Sequence, residues 1–169
     1  MKKLNRGITK FQVLLIAVVL LVGGVSAFYY LQKPDLAIIN VVAENDQNPN
    51  ICKYNIEIQN KGFAAINQPA NNTIGYCFWT EGQEKCRSPW DVITRDPSTG
   101  QTQALFLAPG EKYKFETVEM PKSFYGGTCP NILHFCVDCG LHVVYEKEIV
   151  GGFVPELREG NNEYTYIAK

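Results

Sequence analysis

Residues 11 to 32 carry no charge, and residues 13 to 31 are almost wholly apolar, with no polar face. At ~1.5 Å per helical residue, such a run is long enough to cross a hydrocarbon core of ~30 Å. It predicts a transmembrane helix or signal segment over residues 11–32. Beyond Pro34 the pattern changes to short runs of period two, which is the signature of half-buried strands. The clearest run, residues 53 to 59, places Tyr54, Ile56 and Ile58 on one face and only polar groups on the other. Residues 74 to 78, 112 to 116 and 133 to 138 alternate in the same way. Breakers separate the runs: Asn60-Lys61-Gly62, Asp96-Pro97-Ser98-Thr99-Gly100, Ala108-Pro109-Gly110 and Gly160-Asn161-Asn162 all favour turns. Many short strands at this spacing predict an all-β antiparallel sandwich behind one apolar helix.

The flanks of the apolar run give it a direction. Lys2, Lys3, Arg6 and Lys10 precede it, whereas the next stretch offers Lys33 against Asp35, Glu44 and Asp46. The positive-inside bias therefore keeps the amino terminus in the cytosol and places the carboxyl-terminal part outside. The expected organisation is a basic cytosolic segment (1–10), the apolar segment (11–32) and one extracytoplasmic domain (33–169). Tyr29 and Tyr30 fall where amphipathic rings meet the outer interface, and Pro34 disfavours helix at Lys33. After the first 31 residues, 12 basic residues face 17 acidic ones, a net charge of about −5. An acidic domain is poorly suited to a phosphate backbone, so nucleic acid is excluded as a partner.

Three fates compete for the apolar segment. It stays as an uncleaved anchor, or it is cut after Ala27, where Val25-Ser26-Ala27 presents the small residues that a signal peptidase reads. The third fate rests on Arg6-Gly7-Ile8-Thr9-Lys10-Phe11-Gln12 before an apolar helix, which resembles the class III signal of type IV prepilins. That resemblance implies cleavage at Gly7 and packing of the helix into a filament, although Gln12 stands where an acidic residue is usual. The first 51 residues hold no Cys, which rules out a lipoprotein anchor.

In the outer domain, five motifs occur in order: Pro34-Asp35-Leu36-Ala37-Ile38, Tyr54 through Asn60-Lys61-Gly62-Phe63-Ala64, Leu107-Ala108-Pro109-Gly110-Glu111, Cys136-Val137-Asp138, and Glu156-Leu157-Arg158-Glu159-Gly160-Asn161-Asn162-Glu163. In this order they resemble CARDB-type domains, which are seven-stranded, immunoglobulin-like modules of bacterial and archaeal surface proteins. The resemblance implies an immunoglobulin-like β-sandwich and scaffold roles for Asp35, Asn60, Gly62, Pro109, Gly110, Asp138, Glu159, Asn161 and Asn162. Physically, Asn60-Lys61-Gly62 lets a strand end in a residue able to take left-handed φ, and Pro109-Gly110 turns into the next strand. Asp138, Glu159, Asn161 and Asn162 also offer oxygen ligands suited to Ca²⁺, but without a dense Asp-x-Asp-x-Asp loop a turn before the last strand is the simpler reading. The chain departs from the family in its six cysteines and in residues 140 to 155, where an extra hairpin is expected from 142 to 145 and 148 to 153.

Cys52, Cys77, Cys86, Cys129, Cys136 and Cys139 are even in number and lie on the oxidising side, so disulfides are the default. A two-residue Glu81-Gly82 turn sets Cys77 opposite Cys86. In an immunoglobulin-like fold, Cys52 and Cys129 begin strands that run the same way in facing sheets, which makes them a second pair. Cys136 and Cys139 then join in a short loop or exchange partners with Cys77 and Cys86. The alternative is zinc: Cys136-Val137-Asp138-Cys139-Gly140 has knuckle spacing, and Cys77 with Cys86 completes a four-thiolate set, although their spacing is not that of a ribbon.

His134 shares strand parity with Cys136 and Asp138, and the expectation is an exposed strand histidine rather than a ligand cluster. Trp79 and Trp90 bracket the Cys77–Cys86 segment, either packing over it or forming a recognition patch. Asn71-Asn72-Thr73 is an acceptor pattern for N-linked sugar. No phosphate loop, nucleophile elbow or metalloprotease helix occurs, so no enzyme and no cofactor are expected. The expected role is that of a membrane-anchored surface module, structural or adhesive, whose partner is a surface protein or glycan. The alternative is a minor pilin-like subunit that self-associates into a filament or homo-oligomer.

Overall fold

The structure is a computed structural model that describes residues 10–44, 48–70, 74–86, 90–96, 99–117, 119–138, 143–145, 148–150 and 162–168. Gly7, Asn71, Cys139, Glu159 and Asn161, all singled out above, lie outside the described residues. The chain divides into two compact units, residues 1–32 and 33–169.

The first unit is one helix, α1 (Lys10–Leu31), whose 22 residues include no acidic side chain in the first turn. Apolar side chains from Phe11 to Leu31 are exposed on every side of it, and Phe11–Tyr29 is long and apolar enough to cross a membrane. A helix that is apolar all round has no face to leave in water, so it is matched to a hydrocarbon surrounding.

The second unit is all-β. Its strands are β1 (Leu36–Ala43), β2 (Ile51–Cys52), β3 (Tyr54–Asn60), β4 (Ile66–Gln68), β5 (Gly75–Trp79), β6 (Trp90–Val92), β7 (Leu105–Leu107), β8 (Lys112–Glu116), β9 (Met120–Pro121), β10 (Ile132–Val137), β11 (Val143–Tyr145), β12 (Glu148–Val150) and β13 (Glu163–Ile167). A three-stranded sheet in the order β1-β3-β8 faces a four-stranded sheet in the order β13-β10-β5-β6, and every described pairing is antiparallel. Seven strands in this arrangement make an immunoglobulin-like sandwich. The pairs β4–β7 and β2–β9 are short, and β11–β12 is the extra hairpin between β10 and β13.

The core lies between the two sheets and follows from the period-two pattern. Tyr54, Ile56 and Ile58 of β3 and Phe115 of β8 meet Tyr76 and Phe78 of β5 and Leu133, Phe135 and Val137 of β10. Tyr54 is its centre, edge-on to Phe135 at 5.4 Å and to Tyr166 at 5.2 Å between ring centroids. Burial, with neighbouring Tyr166 and Tyr125, pushes the Tyr54 phenol up to about 12. Strand β1 shows why strict alternation misreads its end. Ile38 pairs with Ile58 and Asn40 with Glu57, so Ile39 is an extra residue in a bulge. The bulge resets parity, which leaves Asn40 exposed and buries Val41.

Candidate functional site: the disulfide-backed face of the larger sheet

The outer face of the four-stranded sheet holds the residues that the sequence marked out for chemistry. Because Leu133, Phe135 and Val137 of β10 point into the core, His134 and Cys136 point outward. Strand register then builds two cross-strand rows. In one, Thr165, His134 and Trp79 are successive partners; in the other, Glu163, Cys136, Cys77 and Trp90.

Cys77, Cys86 and Cys136 form one buried cluster, with Trp79 packed against it. Cys77 is joined to Cys86, and Cys136 is disulfide-bonded as well. The bridge differs from the hairpin geometry expected from the sequence. The Glu81-Gly82 turn is present, closed by Gln83 N–H donating to Thr80 O at 3.1 Å with Gly82 at φ 80°. Residues 83–86 do not pair with β5, however, and the chain returns to it only at β6. The register partners of Cys77 are Trp90 and Cys136, while Cys86 lies outside any strand with φ 57°. The bridge therefore ties a loop over the sheet instead of crossing a ladder. Three of the four cysteines proposed for zinc are thus brought together, in disulfide form. Among the described residues no group of three or more His, Cys, Asp or Glu side chains is arranged to hold a metal ion.

His134 is half-buried rather than the exposed histidine expected. Its ring stacks on Trp79 with centroids 5.3 Å apart and planes 17° from parallel, and its Nδ1 lies 3.0 Å from Thr165 Oγ1. Lys85 Nζ sits 5.8 Å from the centre of the Trp79 ring and pairs with Glu163. Trp79 thus carries an imidazole on one side and an ammonium nearby, a stacked arrangement that stiffens an aromatic surface. Lys85 and Thr165 had no signal in the sequence, and Glu163 only as the end of a motif, because the contacts join segments 78 and 31 positions apart. Asp138 does not extend the row of His134 and Cys136. Strand β10 ends at Val137, and Asp138 takes φ 60° with its N–H donating to Gly75 O at 2.9 Å. Asn162 is buried and its carbonyl accepts from Val137 N–H at 3.0 Å, a strand-entry role.

The remaining motif residues meet at one end of the sandwich. Asn60 is fully buried, and its Oδ1 accepts from Asp35 N–H (3.2 Å) and Gly62 N–H (3.0 Å). Its Nδ2 donates to Ala64 O (2.8 Å) and Leu107 O (3.0 Å). One side chain therefore joins the start of β1, the end of β3, the segment after it and the end of β7. Pro109 and Gly110 are the centre of a turn closed by Glu111 N–H to Ala108 O at 3.0 Å, with Gly110 at φ 82°. Gly62 departs from expectation: its φ is not left-handed. It is glycine because a Cβ there would lie 2.4 Å from Asp35 N and from Pro34 C. Close backbone approach, not backbone conformation, excludes a side chain.

An open cleft of about 670 Å³ lies between the sheet edges β6 and β8, lined among others by Lys53, Asp91, Arg95, Tyr113 and Glu116. Its charges engage one another: Lys53 Nζ is 2.6 Å from Glu116 Oε2, and Arg95 Nε is 2.8 Å from Asp91 Oδ1.

No family model matches the chain, and no curated protein does either. Among solved structures, the chain is similar to a CARDB domain from Pyrococcus furiosus crystallised in complex with di-metal ions. That match has 17% sequence identity and a TM-score of 0.38, and covers 81% of this chain and 88% of the other.

Proposed function

We propose that this chain is a non-enzymatic, membrane-anchored module that displays an immunoglobulin-like sandwich on the extracytoplasmic side. The observation that carries the reading is the pairing of an apolar helix, exposed on every side, with an acidic β domain joined by disulfides. Such bonds persist in oxidising compartments, and the basic residues before the helix keep the amino terminus inside. The ordered motifs that resemble CARDB-type domains support a surface role. Within it, the Trp79–His134–Lys85 face is the recognition surface, because a stiff aromatic stacked on an imidazole and close to an ammonium suits a protein or glycan partner.

Protease added to intact cells is the direct test. Cleavage of the carboxyl-terminal part without lysis supports the reading, and protection until lysis overturns it. A second reading follows from Arg6-Gly7 before an apolar helix: a pilin-like subunit that enters a filament after cleavage at Gly7. Sequencing the mature amino terminus separates the two, since Met1 or its neighbour marks an anchor, Ile8 the pilin-like form, and Phe28 a released protein.

A further inference from the structure

The end of the sandwich organised by Asn60 is also the end at which the chain arrives from the apolar segment. Lys33 O accepts from Phe63 N–H at 3.1 Å and from Ala64 N–H at 3.3 Å, and Asp35 O accepts from Lys61 N–H at 2.6 Å. The segment from Lys61 to Ala64 is therefore stitched to the first residues after α1. Yet Phe63 leaves 60% of its surface exposed, and Phe106, next to the Leu107 carbonyl held by Asn60, leaves 61%. Neither ring has a structural reason to be apolar, since neither packs in the core. Lys61 is exposed beside Phe63, Lys33 adds a second cation, and at this end the Glu111 carboxylate accepts from the Ala108 N–H at 2.8 Å.

Chain length says what covers these rings. A chain leaving a bilayer at Leu31 reaches Lys33 in two residues, which span at most ~7 Å. The polar layer outside the hydrocarbon is about 5–7 Å thick on each side. Phe63, whose N–H lies 3.1 Å from the Lys33 carbonyl, is therefore held within about 10 Å of the hydrocarbon boundary, close enough for its ring to reach the headgroup region.

We propose that Phe63 and Phe106, with Lys33 and Lys61, form a lipid-binding surface that seats this end of the sandwich on the outer phospholipid headgroups, with Phe63 inserted. The apolar rings gain by leaving water at the headgroup–acyl boundary, and the two ammonium groups meet lipid phosphates. The inference rests on the anchored reading above. A domain seated in this way presents its opposite end, where Phe124 is 75% exposed, away from the membrane. The two ends are separated by the length of β3, ~20 Å at ~3.3 Å per residue.

The test uses the full chain alone in phosphatidylcholine–phosphatidylglycerol vesicles, with and without brominated acyl chains. Phe63→Trp and Phe124→Trp are compared with the unaltered protein, whose Trp79 and Trp90 provide the common background. The emission added at position 63 is expected to lose about half its intensity or more to bromine, as suits a ring ~5–10 Å into the boundary, while that added at 124 is unchanged. Equal quenching at both positions, or none at 63, overturns the proposal. Alkaline carbonate extraction of the same vesicles separates the two claims. Release of the protein sinks the anchor and the lipid surface together, whereas retention without quenching at 63 sinks the surface alone.

Discussion

Replacing Asn60 with alanine tests how the sandwich end is held. The substitution removes four hydrogen bonds at once and leaves the N–H groups of Asp35 and Gly62 and the carbonyls of Ala64 and Leu107 without that partner. Three of the four bonds are buried, while that to Ala64 is part-buried and open to rescue by water. At ~1–3 kcal/mol per orphaned buried group, and allowing for local relaxation, the expected loss is about 4 kcal/mol. That is a large share of the ~5–15 kcal/mol that holds a typical domain together. In urea unfolding of the full chain in detergent micelles, with disulfides intact and tryptophan emission as readout, the midpoint should fall by about 2 M for a slope of ~2 kcal/mol/M. Asn60→Asp sharpens the test. It keeps the two acceptor contacts but turns a buried carboxylate toward two carbonyls. Burial raises its folded pKa above the unfolded value, so stability is lost as pH rises through the folded pKa and recovered as pH falls from about 7 to about 4. A midpoint shift for Asn60→Ala under about 0.5 M, or an aspartate variant indifferent to pH, refutes the reasoning.

Gly62→Ala and Gly62→Asn should both be destabilised by at least ~2 kcal/mol in the same assay, because the clash is with backbone; tolerance of Asn would restore the left-handed explanation. Removing the Cys52–Cys129 bridge by double serine substitution should cost about 4 kcal/mol and removing Cys77–Cys86 about 2.5, because they close loops of 77 and 9 residues. Thermal unfolding under non-reducing conditions would contradict this if the order reversed. Tyr54 predicts alkaline instability: its phenol is raised to about 12, so the stability that it contributes is complete below pH ~10, its unfolded value, and is lost as pH rises through about 12. Tyr54→Phe should unfold at higher pH than the unaltered chain, and an unchanged alkaline midpoint would exclude Tyr54 as the titrating group. Lys85→Ala should cost under about 1 kcal/mol because both partners of its ion pair are half exposed, while shifting Trp79 emission.

What the sequence decided by itself is whatever depends on local period and composition. The uncharged run could only make an apolar helix, and the alternation from Tyr54 to Ile58 chose the buried face of β3 because side chains in a strand alternate sides. The turn at Pro109-Gly110 was legible because proline fixes φ at about −65° while glycine freely takes the positive φ that the next position needs. Long-range register was not legible. Whether Cys77 faces Cys86, Trp90 or Cys136 is set by how β5 pairs with β6 and β10, and a shift of one residue would turn every side chain over. The bulge at Ile39, the stacking of His134 on Trp79 and the backbone packed against Gly62 arise only when segments distant in the chain are pressed together. No local pattern records the space that they leave for one another, so only the tertiary structure could assign those residues their work.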